Sequence, residues 1–188
     1  MLHYNLGTMK GKLGMVEEAI KNLRTCIEID PSNAYAHLNL GNYLASLKDR
    51  NGALDAYREA CRISPKDPKM LRNLSYCLVE RGDLGEGTDC LRKLLELTPG
   101  DEEITSYLEQ CESELKISLQ IKADIKKGLS DVEKEPNSLG IRANLAMAMK
   151  ADGNLEGSAE QFEECLKLQP GHPQITEMLQ QCKDAISA

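Results

Sequence analysis

The chain has 188 residues, a net charge of −7, no Trp, one Phe and six Tyr. With so few aromatics, its core must come from Leu, Ile, Ala, Cys and Met, which suits closely packed helices. Interspersed charges of acidic balance disfavour nonspecific binding of nucleic acid; no window nears the ~20 apolar residues of a membrane span, and residues 1–15 lack the apolar run of a secretory signal.

Five prolines set the organisation. Pro31, Pro65, Pro99, Pro136 and Pro170 stand 34, 34, 37 and 34 residues apart. A fixed period of that length marks a small unit copied in tandem. The first unit carries Leu6-Gly7, a break at Gly14, then Ala19, Leu23, Cys26 and Ile29 before Pro31. The second carries Leu40-Gly41 with Leu44 and Leu47 at helical spacing, then Ala53, Tyr57, Ala60 and Ile63. Lys48-Asp49 replaces the glycine between its halves. Each half reads as a helix with one apolar stripe, and each closing proline turns the residue before it out of helical geometry.

The third unit opens on Asp67-Pro68, a capping residue and a first-turn proline. It holds Leu74-Ser75, Gly82, Gly87, Leu91 and Leu97. The fourth opens on Asp101 and departs most from the pattern, with Glu109 at the small position. Its stripes are Ile104, Leu108, Cys111 and Leu115, then Ile121, Ile125, Leu129 and Val132. Passing from Leu115 to Ile121 advances ~600°, or ~240° net. The stripes are out of phase, which predicts a turn near Lys116–Ser118. No Gly or Pro enforces it, so a continuous helix joining residues 1–115 to 119–188 stays open. The fifth unit carries Leu145-Ala146, Gly153, Ser158, Phe162 and Leu168. The chain closes with Ile175, Met178, Leu179, Cys182 and Ile186 opposite Gln174, Glu177, Gln181 and Asp184. Such a polar-backed element covers the open end of a repeat array. Expected divisions are 1–101 (three units), 102–136 (a degenerate unit), 137–170 (a fifth) and 171–188 (a cap). The start has no equivalent cap; the chain reads there as part of a longer protein, or as exposing its first helix.

Tyr4–Pro31 and Ala34–Pro65 resemble the tetratricopeptide repeat (TPR), although His3, His37, Leu71, Thr105 and Arg142 replace its usual aromatic. The resemblance implies an all-α solenoid of about eleven helices in a right-handed superhelix. It implies a concave groove lined by each unit's first helix, and binding of a protein or peptide there.

Seven cysteines are an odd count with no Cys-x-x-Cys pair. Five recur at fixed repeat positions, as small core hydrophobes would; they read as reduced thiols of a cytoplasmic protein, with no metal or cofactor. His3 and His37 are equivalent by the repeat, and no nucleophile, phosphate-loop or zinc motif is present, so no catalysis is expected. The positive candidate is a ladder of amides: Asn5, Asn39, Asn73 and Asn144, each before the Leu-small pair, with Tyr107 breaking the series. A primary amide donates and accepts, and the resemblance implies that such ladders hold peptide backbone. Asn42, Lys69, Arg72 and Tyr76 share that face by helical spacing. Lys12, Lys69 and Arg72 make it locally basic, which suits an acidic segment. The family's carboxylate clamp is met at Asn39 and Lys69 only, two positions of five, and is not expected. Binding without chemistry is the leading reading. A regulatory or substrate-presenting module of a larger enzyme, and a scaffold self-associating through its first helix, are the alternatives.

Overall fold

A computed structural model describes residues 2–188; Met1 lies outside the described residues. These form ten α-helices and no strand: α1 (Leu2–Lys12), α2 (Val16–Ile29), α3 (Ala34–Ser46), α4 (Arg50–Ile63), α5 (Pro68–Glu80), α6 (Leu84–Leu97), α7 (Glu102–Lys134), α8 (Leu139–Ala151), α9 (Leu155–Leu168) and α10 (Pro173–Ser187). Helices of one unit pair with each other, and α2 with α3 and α4 with α5 carry the stack onward.

Local chemistry sets the boundaries. Asn33, Asp49, Asp67 and Asn154 cap α3, α4, α5 and α9 by accepting backbone N–H groups of the first turn. Asp101 does the same for α7, accepting from Ile104 N at 3.1 Å. Asp30, Ser64, Thr98 and Gln169, each before a proline, end their helices with φ between −127° and −137°. Gly14, Gly82 and Gly153 join the helices of a pair in the left-handed region. Lys48 takes the same conformation, φ 63°, where unit two lacks the glycine.

The chain divides into two compact units, the first ending at Ser113 and the second spanning Glu114–Ala188. The first is built on Leu71, Leu74, Leu78, Leu91, Leu94, Ile104, Leu108 and Cys111, among others, with Leu23, Cys26 and Ala36 adjoining. The second is built on Ala146, Phe162, Cys165, Ile175, Leu179 and Cys182. The small positions let helices approach: a Cβ at Gly41 would stand 2.5 Å from Tyr57 Cε1.

Three expectations are corrected. No turn occurs near Lys116–Ser118: α7 runs unbroken for 33 residues, so there are ten helices among the described residues. Ile104, Leu108 and Cys111 of its first stripe enter the first core, whereas Leu129 of the second stripe is exposed, and Gly128 lies against Leu145. Ile29, Leu97 and Leu168, the last residues of α2, α6 and α9, are exposed. Leu47 is exposed as well, since α3 ends at Ser46.

Candidate functional site

The first helices of the first unit, α1, α3 and α5, form a face laced by polar links. Asn39 Nδ2 donates to Thr8 Oγ1 at 3.2 Å and reaches Tyr4 Oη at 3.5 Å, joining α3 to α1. Tyr35 Oη donates to Asp67 Oδ2 at 2.7 Å, joining α3 to the cap of α5. That bond, above all, raises the Tyr35 phenol's pKa. Arg72 donates to Asp101 Oδ2 at 2.9 Å and lies 3.8 Å from Glu103, joining α5 to the start of α7.

The ladder residues therefore differ in what they have left to offer. Asn39 spends its amide N–H groups on α1 and keeps Oδ1. Asn73 gives one N–H to Lys69 O of its own helix, at 2.8 Å, and keeps the other with Oδ1. Asn42 accepts from Tyr57 Oη at 2.8 Å and keeps its N–H groups. Asn5 and Lys69 are exposed. Tyr76 meets Tyr107, the residue that interrupts the ladder, in an edge-on ring contact. Asn144 belongs to the second unit, where it borders a cavity of about 500 Å³ with Ile121, Asp124, Asp131 and Met147. Asn39 and Asn42 thus stand on α3, and Lys69, Arg72, Asn73 and Tyr76 on α5.

Charge is distributed differently from the sequence expectation. Arg72 is engaged by two carboxylates, so Lys12 and Lys69 carry the remaining positive charge of the ladder face. The Ile104 N–H, more than any other group, holds the Asp101 carboxyl below the usual carboxylate range, and Arg72 adds to it. Sequence reasoning missed a cavity of about 410 Å³ between α3, α4 and α5, which Asn73 and Tyr76 share with Lys48, Arg50, Tyr57, Arg81 and others. Burial pushes the Tyr57 phenol up to about 12, so it stays protonated.

All seven cysteines are free of disulfide bonds; six are buried and Cys77 is half-buried. Burial drives the Cys61 thiol up to about 12.

Residues 7–48 match a family model described as a TPR repeat, and residues 34–67 a tetratricopeptide repeat model. The fold is similar to the crystal structure of YrrB, a TPR protein with an unusual peptide-binding site. That likeness has a TM-score of 0.57 and 18% identity, over 97% of this chain and 90% of that one. It is similar to the first TPR of Spaghetti (RPAP3) bound to HSP90 peptide SRMEEVD, with TM-score 0.56 and 22% identity over 61% of this chain and 94% of that one. It is also similar to MamA, with TM-score 0.57 and 14% identity over 89% and 90%. Among curated proteins, none matches the chain.

Proposed function

The chain is a tetratricopeptide repeat protein, and from that premise we propose that α1, α3 and α5 bind an extended segment of a protein partner, with no chemistry of their own. One observation carries this: the neighbouring repeats' first helices α3 and α5 present amides with unspent bonding capacity at Asn39, Asn42 and Asn73. Amides read main-chain groups and tolerate varied side chains. Asn5 extends the row on α1, and Asn144 offers a separate contact in the second unit. That YrrB has a peptide-binding site and that Spaghetti holds an HSP90 peptide supports the reading by analogy of fold. Lys12 and Lys69 favour an acidic segment. Arg72 and Tyr76 act as supports of the face, through Asp101 and Tyr107. The buried thiols fit a reducing, cytoplasmic setting.

The cleanest test is Asn73→Ala, because Asn73 links no second helix. Peptides selected on the native protein from a random displayed library should bind the variant roughly 2- to 12-fold more weakly, the range of one hydrogen bond. Unchanged affinity would remove Asn73 from the site. Asn39→Ala should weaken binding too and also loosen α1, since it deletes the bonds to Thr8 and Tyr4.

A second reading rests on α1. Leu2, Leu6, Met9 and Leu13 follow helical spacing and are 77%, 37%, 60% and 72% exposed. Such a stripe is an association face, and it supports self-association through the first helix. Sedimentation of Leu2→Glu/Met9→Glu against the native chain tests it: concentration-dependent association should vanish in the variant.

A further inference from the structure

The cavity of about 410 Å³ opens beside the amide row and shares Asn73 and Tyr76 with it. Three cations, Lys48, Arg50 and Arg81, line it against one carboxylate, Glu80. That excess is local, in a chain of net charge −7. Arg81 is tethered, donating to Asn51 Oδ1 at 2.9 Å and pairing with Asp83 at 3.3 Å. Lys48 and Arg50 take part in no ion pair among the described residues. The left-handed turn at Lys48, closed by Arg50 N donating to Lys48 O at 3.0 Å, sets both on one lip. Tyr57 and Tyr76 line the cavity as well. Tyr57 has given its O–H to Asn42, so it offers no further donor.

A cationic lip over aromatic walls fits a carboxylate carried on a short methylene stem. We propose that this cavity is a specificity pocket for one Asp or Glu side chain of the bound segment. Lys48 and Arg50 pair with the carboxylate, and Tyr57 and Tyr76 flank the stem. A cationic side chain would meet three like charges there. The cavity lies between α3, α4 and α5 and shares Asn73 with the row, so it is within reach of a side chain of the segment held there. The inference rests on the peptide-binding reading above.

The test selects random displayed peptides on the native protein and on Lys48→Glu/Arg50→Glu. Both residues are exposed, so the variant should keep its native circular dichroism. Native-selected peptides should share one acidic position. Replacing that residue by its amide should weaken binding roughly fivefold, as for an exposed ion pair. The effect should disappear in the double variant and fade in about 0.5 M NaCl. Cys77 lines the cavity and is the one thiol not fully buried, so it reports occupancy: bound peptide should slow its alkylation by iodoacetamide. Selected peptides without an acidic preference, an acid dependence that survives charge reversal, or one carried by a free C-terminal carboxylate and lost on amidation would each overturn the pocket. If Asn73→Ala still weakens binding in those cases, the amide row stands and the pocket alone falls. If the native protein selects no peptide, both fall.

Discussion

Tyr107 sets its ring edge-on to Tyr76, with centroids 5.0 Å apart and planes at 83°. Tyr107 is the residue that interrupts the asparagine series, and its contact gives the interruption a structural role. An aromatic pair of this geometry contributes about 0.5–1.5 kcal/mol beyond area burial. Restoring the series with Tyr107→Asn should therefore destabilise the first unit by at least about 1 kcal/mol. Urea unfolding followed by far-ultraviolet circular dichroism measures this; a variant as stable as the native chain would show the ring contact to be idle.

Asp101 caps α7 and binds Arg72 with the same carboxylate. Its folded-state pKa is lowered from 3.8. Stability from a depressed carboxyl pKa is present above the unfolded value and is lost as pH falls through the folded one. Asp101→Asn keeps an oxygen to cap the helix but does not titrate. Its stability should fall less steeply than the native chain's below about pH 4. Parallel acid limbs in thermal melts would contradict this.

Gly41 lies inside α3, where alanine would favour the helix by about 1 kcal/mol. An added Cβ would stand 2.5 Å from Tyr57 Cε1, and Tyr57 is buried. Overpacking of that kind costs about 1–3 kcal/mol, so the packing loss prevails. Gly41→Ala should lower the melting temperature, and the displaced Tyr57 ring should change the near-ultraviolet dichroism.

Lys48 holds φ 63° without the freedom of glycine. Lys48→Gly should relieve about 1 kcal/mol of backbone strain while removing a cation from the specificity pocket. Stability should rise as the preference for an acidic side chain falls. A variant that loses stability would mean the lysine side chain supports the turn.

Much of this architecture was legible because a helix pair repeats its demands. The prolines, the Asp67 and Asp101 caps and the leucines at 74, 108 and 145 each answer to a local rule or a strict period. The fourth unit was harder to read. A phase change between two stripes is compatible with a turn or with one helix serving two cores, and periodicity alone cannot choose. Ile29, Leu97 and Leu168 were misread because helical spacing places a residue on the apolar stripe whether or not a neighbour covers that end of the helix. The helices that carry the proposed face were legible, since Asn39 and Asn42 fall on α3 and Asn73 and Tyr76 on α5. Their hydrogen bonds were not, because each depends on a residue 15 to 35 positions away or on a rotamer.

The order of residues by itself determined the fold, since tandem helix pairs need only local periodicity and nearest-neighbour burial to stack. Only the tertiary structure decided which polar groups remain available. Arg72 meets Asp101, Asn39 meets Thr8, and Lys48 and Arg50 rim a cavity. Those outcomes follow from distances between helices, which no single element specifies.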